Sequence, residues 1–496
     1  MDEECILTID AGTSSVRAIL WDSGGRQIAS SRRGFTQIYP RPGWVEHNPE
    51  EIWEAALTVS RDVLRSLPEG RRVSCLGVTN QRETSVLWDR RNGKPVYNAI
   101  VWQDKRTADM VEELRRESYG FLKERTGLVP DSYFSAVKVK WMLENLRGIR
   151  ERVRKGEVLF GTIDTFLIWR LTSGRVHATD PSNASRTMMF NIHRLEWDRE
   201  ILEALGIPED LLPEVKPSSY VYGYTSESVL GVEAPISGDL GDQQAALFGQ
   251  TCFKAGEGKC TYGTGNFILV NLGQRPKLSE ELLSTVAWQI DGSATYALEG
   301  SIFVTGAAVK WLIEGLGIAS TPEEVSRLAS SVEDTGGVYF VPALAGIGAP
   351  HWDQYARGLL IGITRRTSKS HVARAVLESI AFRVREVLEA SKREGLELRE
   401  LKVDGGASRN DFLMQLQADI AGIPVVRPKV LETTSLGVAF AAGLAVDVWD
   451  SLDELRRVWS LDRVFYPSMS VERRERLYST WRKAVERSMG WARYAG

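Results

Sequence analysis

Three short stretches of this sequence combine glycine with hydroxyl or carboxylate side chains in a way that suits the binding of phosphate groups. The first is DAGTSSVR, from Asp10 to Arg17. Its glycine lets backbone N–H groups approach a phosphate oxygen, and its carboxylate can hold Mg²⁺ through water. The second is TYGTG at 261–265, and the third is DGGA at 404–407. The same residue types also form ordinary hairpin turns, so each stretch alone leaves both interpretations open.

Together, the three turns favour a nucleotide site. Two glycine hairpins that face each other across a cleft can clamp phosphates from both sides, and the surface of Gly405 and Gly406 can carry an adenine or a ribose. The sequence contains neither the P-loop spacing G-x-x-x-x-G-K-[ST] nor the protein-kinase strings H-R-D and D-F-G. We therefore expect a nucleotide site built on a different fold.

Two other pairs of polar residues suit the binding and activation of a hydroxyl group. Arg82 and Glu83 directly follow a predicted strand, and an adjacent Arg and Glu can bind the vicinal hydroxyls of a polyol. Asp242 and Gln243 stand at the start of a predicted helix, where the helix dipole stabilises a carboxylate. Asp242 is either a helix N-cap or a general base that accepts a hydroxyl proton during phosphoryl transfer.

The composition excludes several classes of protein. The 496 residues are 43% hydrophobic and 26% charged, which is typical of a soluble globular protein and not of a disordered chain. The net charge of −3 argues against a general nucleic-acid binder, which needs a basic excess. The stretch MDEECILTID has no secretion signal, so we expect a cytoplasmic protein. The most apolar late segment, 438–449, is too short to span a membrane.

The cysteines and histidines predict neither a disulfide framework nor a zinc site. Cys5, Cys75, Cys252 and Cys260 show no C-x-x-C spacing, and the five histidines are scattered along the chain. We expect buried, reduced thiols.

The order of predicted elements indicates an α/β protein with an internal duplication. Residues 5–22 and 258–273 each read as strand, glycine turn and strand, and they lie about half a chain apart. The sequence also predicts a helix over 49–67, a long helix over 368–393 and a strand over 400–404. We expect two lobes, 1–250 and 251–496, with the boundary near Gln250. The arginine-rich helix at 471–491 is expected to dock one apolar stripe on its own domain rather than on a membrane or another protein.

Nine short strings along the chain carry a further signal. In chain order they are TIDAGTSSVRA, NQRETSVLWD, YNAIVWQDKRT, SYFSAVKVKW, HATDPSNASRTMMFNI, SGDLGDQQAALFGQ, TYGTGN, GAPHWDQYARG and LKVDGGASRN. From Leu7 to about Trp449, the chain resembles the FGGY carbohydrate kinase family. Residues 133–145 and 358–378 match two patterns typical of the whole family, whereas NQRET and SGDLGDQQAALFG are similar to the branch that phosphorylates glycerol.

This resemblance implies two actin-like (ribonuclease H-like) lobes around a central catalytic cleft, with ATP and Mg²⁺ as cofactors and glycerol as the substrate. It implies that Asp242 is the catalytic base and that Asp10 arranges the metal. The residues implied to bind glycerol are Arg82, Glu83, Trp102, Tyr133, Asp242, Gln243 and Phe267. Those implied to bind the nucleotide are Thr13, Ser14, Ser15, Arg17, Thr264, Gly306, Lys310, Gly406 and Asn410.

Departures from the family pattern limit what the resemblance implies. Several relatives carry Gln where this chain has Lys310, and the role of Arg409 stays open. The loop before Ile236 lacks the Gly-Arg arrangement that binds an inhibitory sugar bisphosphate in some relatives, and Glu233 would repel a phosphate there. We therefore expect weak or no inhibition by fructose 1,6-bisphosphate. The resemblance also implies a homodimer or homotetramer.

Two alternatives remain at this point. One is an FGGY kinase that acts on a pentulose or a sugar acid. The other is an actin-like or chaperone-type ATPase, which would explain the glycine turns but not the polyol-binding set around Arg82 and Asp242.

Overall fold

A computed structural model describes residues 4–494 of the chain. Residues 1–3, which belong to the stretch interpreted as lacking a secretion signal, and residues 495–496 lie outside the described part. Within residues 4–494, no helix is both long enough and apolar enough to cross a membrane. All four cysteines are buried free thiols, as predicted.

The first half of the chain contributes fourteen described strands and ten α-helices. The strands are β1 Glu4–Ala11, β2 Ser15–Asp22, β3 Gln27–Gly34, β4 Glu46–His47, β5 Arg72–Asn80, β6 Val86–Asp89, β7 Ala99–Ile100, β8 Val158–Gly161, β9 Ala178–Thr179, β10 Phe190–Asn191, β11 Glu196–Trp197, β12 Glu214–Val215, β13 Ser219–Tyr224 and β14 Pro235–Gly241. The helices are α1 Pro49–Leu64, α2 Ala108–Glu117, α3 Tyr119–Thr126, α4 Ser135–Asn145, α5 Ile149–Arg154, α6 Ile163–Leu171, α7 Pro181–Ala184, α8 Arg199–Leu205, α9 Glu227–Leu230 and α10 Asp242–Gly249.

The second half contributes nine described strands and seven α-helices. The strands are β15 Gly258–Tyr262, β16 Asn266–Gly273, β17 Leu283–Ile290, β18 Ser293–Ile302, β19 Tyr339–Val341, β20 Leu359–Ile361, β21 Leu401–Asp404, β22 Val425–Pro428 and β23 Leu461–Phe465. The helices are α11 Gly306–Lys310, α12 Pro322–Ser330, α13 Lys369–Arg393, α14 Asp411–Ala421, α15 Thr433–Leu444, α16 Leu452–Val458 and α17 Val471–Ser488.

Each half contains one large mixed sheet, and the two sheets share a topology. The first has the order β13-β14-β5-β1-β2-β3 and the second β17-β18-β16-β15-β21-β22-β23. In both, three antiparallel neighbouring strands continue into two parallel strands: β3-β2-β1 into β5 and β14, and β18-β16-β15 into β21 and β22. This repeated order confirms the two-lobed α/β fold and explains why similar hairpins recur half a chain apart.

Local sequence determines where the predicted helices begin and end. Helix α1 starts at Pro49, as predicted, with the side chain of Asn48 accepting the N–H of Glu50 at 3.0 Å. It ends at Leu64 rather than Leu67, because a residue before proline, here Leu67 before Pro68, is disfavoured in the α conformation.

The C-terminal helix α17 docks on its own lobe, as predicted. Trp481 is fully buried and stacks on Phe382 of α13, with ring centroids 5.1 Å apart. The helix ends at Ser488 rather than Trp491, because Gly490 turns the backbone into the left-handed region at φ 65°.

The two lobes meet where α15 crosses α10. Helix α15 stands between β22 and β23 of the second sheet in sequence. It nevertheless packs on the first sheet, where the hydroxyl of Ser237 donates to the carbonyl of Ala442 at 2.8 Å. A side chain on Gly437 would overlap the carbonyl oxygen of Ala245, and one on Gly249 would overlap that of Thr433. The crossing therefore requires glycine on both helices.

Replacing Gly437 by Ala is expected to destabilise the protein by about 1–3 kcal/mol or more, because the new methyl group would push backbone against backbone. The thermal unfolding midpoint measures the effect. Gly120→Ala is the matched control: Gly120 lies in α3 with open space around it, so alanine there should be neutral or slightly stabilising. Equal midpoints for the two variants would contradict the close helix crossing.

Candidate functional site

The site lies where the carboxyl ends of parallel strands from both sheets come together. In the first sheet Asn80 pairs in register with both Ala11 and Gly241, so the residues that follow β1, β5 and β14 lie at one edge. In the second sheet, Thr261 and Asp404 are paired neighbours. In open α/β sheets this edge is where ligands bind. The topology thus gathers side chains that are up to some 400 residues apart in sequence.

A pocket of about 170 Å³ opens between the lobes at this edge. It contains all seven side chains implied to bind glycerol, together with Thr13 and Thr264. Its lining residues are Thr13, Gln81, Arg82, Glu83, Trp102, Gln103, Tyr133, Asp242, Gln243, Thr261, Gly263, Thr264, Gly265 and Phe267. Residues from both lobes therefore contribute to one small polar pocket.

Arg82 is the buried cation of this pocket, with 3% of its surface exposed. Its guanidinium makes a bidentate pair with Glu299, at 2.5 Å from Nη1 to Oε2 and 3.0 Å from Nη2 to Oε1. Nη1 also donates to Oε1 of Gln244 at 3.1 Å, and Nε lies 3.2 Å from Oδ1 of Asp242. The guanidinium of Arg82 is thus held rigidly beside the carboxylate of Asp242, the residue that the family resemblance implies to be the base.

Glu83 is held in an unusual backbone conformation. Its φ is 61°, in the left-handed region that non-glycine residues rarely adopt. The hydroxyls of Ser85 and Ser135 donate to its carbonyl at 3.0 and 2.9 Å, and Nε of Arg186 donates to its Oε1 at 2.7 Å. Strained residues held by several neighbours are typical of ligand sites, and here the result is a fixed carboxylate in the pocket.

Asp242 is the first residue of α10, and the N-cap position is Gly241. The N-cap interpretation of Asp242 is therefore wrong, which leaves its carboxylate available for another role. The side chain keeps 27% of its surface exposed, and it lines the pocket. Burial raises its pKa, although the positive charges of Arg82 and Lys259 pull it down. A carboxyl group with a raised pKa beside a pocket suits proton transfer.

Aromatic rings form one wall of the pocket. The ring centroids of Trp102 lie 5.7 Å from Tyr133 and 6.2 Å from Phe267, both edge to face. Nε1 of Trp102 donates to the hydroxyl of Thr13 at 3.0 Å. This bond joins the aromatic wall to the first glycine turn. Apolar faces of this kind can pack against the carbon chain of a small polyol.

Ser14, Ser15 and Arg17 of the first glycine turn are not among the residues that line this pocket. Ser14 is exposed, and Oγ of Ser15 accepts a hydrogen bond from Arg32 at 2.8 Å. Arg17 forms an ion pair with Glu432, which comes from the second lobe. The roles of Ser14, Ser15 and Arg17 in phosphate binding stay predictions.

Asp10 and Asp242 have the character of a cation site. Burial raises the pKa of Asp10 to about 7, and the negative charge of Asp242 contributes to the rise, against Arg17. Carboxylate oxygens are the donors that Mg²⁺ prefers. In the described part of the chain, no three His, Cys, Asp or Glu side chains come together as a metal cluster. The residues present fit a Mg²⁺ ion that takes most of its ligands from water and phosphate.

A second pocket of about 760 Å³ lies in the C-terminal lobe. It contains Gly306, Lys310, Gly406 and Asn410, four of the residues implied to bind the nucleotide, and also Arg409. Nζ of Lys310 lies 3.5 Å from Glu314, and the amide of Asn410 donates to Ser326 at 2.8 Å. Thr264 instead lines the smaller pocket. The large pocket has the room that an adenosine needs.

Sequence reasoning missed four buried side chains that support the pocket: Arg186, Gln244, Lys259 and Glu299. Lys259 is fully buried, and its Nζ donates to Gln243 at 2.6 Å and to the hydroxyl of Thr261 at 2.8 Å. One signal was available, since charged residues inside apolar strands, as in GKCTY and ALEGSI, need buried partners.

Comparison with known proteins gives matches over the whole chain. The models of the N-terminal and C-terminal domains of the FGGY family of carbohydrate kinases match residues 5–249 and 258–446. A glycerol kinase of Saccharolobus islandicus (strain M.14.25 / Kamchatka #1) is 57% identical over 498 residues, covering 100% of this chain and 99% of the relative.

Two solved structures have the same fold. The crystal structure of Plasmodium falciparum glycerol kinase with ADP has a TM-score of 0.91 at 37% identity, covering 98% of each chain. A ligand-bound xylulose kinase from Lactobacillus acidophilus has a TM-score of 0.86 at 23% identity, covering 98% of this chain and 97% of the other. The family models, the identity and the shared fold agree: this chain belongs to the FGGY family of carbohydrate kinases.

Proposed function

We propose that this enzyme transfers the γ-phosphoryl group of ATP to glycerol, giving sn-glycerol 3-phosphate and ADP. The observation that carries the proposal is the small pocket in which Asp242 lies 3.2 Å from Arg82, beside Glu83 and an aromatic wall. The glycerol kinases of Saccharolobus islandicus and Plasmodium falciparum, which this chain resembles over its full length, support the choice of glycerol.

In this mechanism Arg82, Glu83 and Gln243 bind the hydroxyls of glycerol, and Trp102 and Phe267 pack against its carbons. The carboxylate of Asp242 accepts the proton of the terminal hydroxyl as that oxygen forms a bond to the γ-phosphorus. The bond from the γ-phosphorus to the bridging oxygen breaks in line, and ADP leaves. Such a transfer depends mainly on positioning and on charge neutralisation, so one well-placed carboxylate suffices.

Mg²⁺, when bound, would neutralise the phosphate charge, with Asp10 as the residue that holds it. Thr13, Ser14, Ser15, Arg17 and Thr264 would then contact the phosphates, and the adenosine would lie among Gly306, Lys310, Gly406 and Asn410. Closure of the lobes would exclude water, which would otherwise compete as the phosphoryl acceptor.

A pentulose or sugar acid is the nearest alternative substrate. The pocket between the lobes has a volume of only about 170 Å³, and Trp102, Tyr133 and Phe267 enclose one side of it. The small volume favours a triol over a five- or six-carbon chain.

ADP release tests the proposal directly. With ATP and Mg²⁺, we expect turnover that depends on glycerol and that is far slower with xylulose, ribulose or gluconate. Turnover with a sugar instead of glycerol would replace the proposed substrate. ATP hydrolysis that needs no acceptor would favour an ATPase that changes shape rather than a kinase.

The acid side of the pH profile provides a separate prediction. The base must be ionised to accept a proton, and burial raises the pKa of Asp242. kcat should therefore fall as the pH drops through a value above about 3.9, the ordinary pKa of Asp. A kcat that stays constant down to about pH 4 would contradict a base with a raised pKa.

Three other properties remain predictions. The domain boundary near Gln250 separates a lobe that binds glycerol from one that binds nucleotide. The enzyme is expected to be a homodimer or homotetramer. Fructose 1,6-bisphosphate is expected to inhibit weakly or not at all, because the exposed Glu233 lies in the loop where some relatives bind it; inhibition at micromolar concentration would overturn this.

A further inference from the structure

A buried group of charges connects the two lobes beneath the small pocket. Glu299 lies on β18 in the second sheet and is fully buried. Arg82 follows β5 in the first sheet, and its fork makes the bidentate pair with Glu299 described above. Bidentate arginine–carboxylate pairs are strong and fix geometry as well as charge.

Arg186 connects Glu299 to Glu83, which lines the pocket. Its Nε donates to Oε1 of Glu83 at 2.7 Å, and its Nη2 donates to Oε1 of Glu299 at 3.1 Å. The guanidinium is fully buried, 5.3 Å from the ring centroids of Tyr133 and Phe134. Glu299 therefore contacts Arg82 directly and reaches Glu83 through Arg186.

The environment keeps Glu299 ionised. Burial alone would raise its pKa, but the charges of Arg186 and Arg82 outweigh burial and lower the pKa to about 2. The hydroxyl of Ser301 donates a further hydrogen bond to Oε1 at 3.0 Å. Without this carboxylate, Arg186 would keep Glu83 as its ion-pair partner, and Arg82 would keep the partly exposed Asp242. The two guanidinium groups would then no longer share a buried anion between them.

We propose that Glu299 is a positioning residue for the phosphoryl transfer, an inference that rests on the glycerol function proposed above. From the C-terminal lobe it holds Arg82 and, through Arg186, Glu83 in the orientation that binds the hydroxyls of the acceptor. Its bonds and that of Gln244 use three of the five N–H donors of Arg82. One Nη2–H then remains for the acceptor, and the Nε–H faces Asp242, with 3.2 Å between Nε and Oδ1.

The position of Glu299 separates this role from nucleotide binding. Glu299 is deep beneath the small pocket, whereas the adenosine residues proposed above line the large one. Loss of the carboxylate should therefore weaken acceptor binding selectively. A merely structural role would instead lower stability and affect both substrates alike.

The test compares the full-length wild-type protein with Glu299→Gln, Glu299→Asp and Glu386→Gln. Glu386 is a buried glutamate of the same lobe that pairs with Arg383 and with Nε2 of His351 at 3.0 Å, so its variant controls for the loss of a buried ion pair. For Glu299→Gln we expect the KM for glycerol to rise about thirtyfold or more, with the KM for ATP changed less than about twofold. Glu299→Asp should recover part of the affinity, and Glu386→Gln should leave the KM for glycerol unchanged.

An unchanged KM for glycerol in a folded Glu299→Gln variant would overturn the inference, as would equal rises for glycerol and ATP. If this variant does not fold, Arg186→Lys tests the inference in its place. Lysine keeps the positive charge, but it cannot bridge Glu83 and Glu299 as the planar guanidinium does. A selective rise in the KM for glycerol then supports the inference, and an unchanged KM overturns it. Absence of glycerol turnover in the wild type contradicts the proposed function instead. The same KM comparison is then made with whichever of xylulose, ribulose or gluconate the wild type phosphorylates.

Discussion

Replacing Asp242 by Asn is expected to lower kcat for glycerol phosphorylation by about two to four orders of magnitude, with ATP binding nearly unchanged. Asparagine has the shape of aspartate and keeps an oxygen for the N–H of Gln243, which Oδ1 of Asp242 accepts at 2.8 Å. It cannot accept the proton of the attacking hydroxyl. The adenosine residues proposed here lie in the other pocket, so nucleotide affinity should not depend on this carboxylate.

A titration of Mg²⁺ separates the base role of Asp242 from a purely electrostatic one. The charge of Asp242 raises the pKa of Asp10, so the two carboxylates influence each other and both would attract a cation. If Asp242 served only to attract the metal, high Mg²⁺ would restore the turnover of the variant. We expect the loss of kcat to persist at saturating Mg²⁺.

Asp462→Asn is the matched control, because Asp462 is exposed and pairs with Arg427 on the surface of the second lobe. Its turnover should equal that of the wild type. ADP release gives kcat, and calorimetry with ATP gives the nucleotide affinity. Near-normal turnover of Asp242→Asn would remove Asp242 from the base role.

The sequence predicts the strands and turns of this fold well because they depend on local patterns. Apolar runs and glycine turns indicate the observed positions of these elements. Examples are the strand that ends at Asn80 and the two hairpins whose turns are residues 12–14 and 263–265. The ends of parallel strands meet at one edge of a sheet, so predicted strand ends at Ala11, Asn80 and Gly241 already bring the polar residues after them together.

The support beneath the pocket could not be predicted in the same way. Arg82 and Glu299 are separated by 217 positions, and Arg186 and Glu299 by 113, so no local spacing relates them. Glu299 carries a charge inside a largely apolar strand, which signals a buried partner but does not identify it. Only the packing of the second sheet against the end of β5 determines which charges meet.

The same limit applies to Arg17. Its place in the first glycine turn predicts a phosphate contact, but the fold brings Glu432 from the second lobe against it. An ion pair that crosses the lobes depends on how the lobes are arranged, which a local motif does not encode.

Replacing Arg82 by Ala is expected to raise the KM for glycerol by about 10- to 150-fold, because hydrogen bonds to a charged group are each worth about 1.5–3 kcal/mol. The change also removes the cation that faces Glu299, Glu83 and Asp242. An uncompensated buried charge costs about 3–5 kcal/mol, so the thermal unfolding midpoint should fall as well.

Arg82→Lys separates the two effects. Lysine keeps the positive charge, so most of the stability should remain, but it presents a point charge instead of a planar fork and cannot pair with Glu299 through two parallel bonds. We therefore expect a folded protein whose KM for glycerol is still raised and whose KM for ATP is close to that of the wild type. Arg456→Ala, which breaks the partly exposed pair with Glu257 in the second lobe, is the control and should leave both constants unchanged. If the lysine variant keeps the wild-type KM for glycerol, the charge of Arg82 matters but its fork does not bind the substrate, and the arrangement of hydroxyl contacts proposed here is wrong.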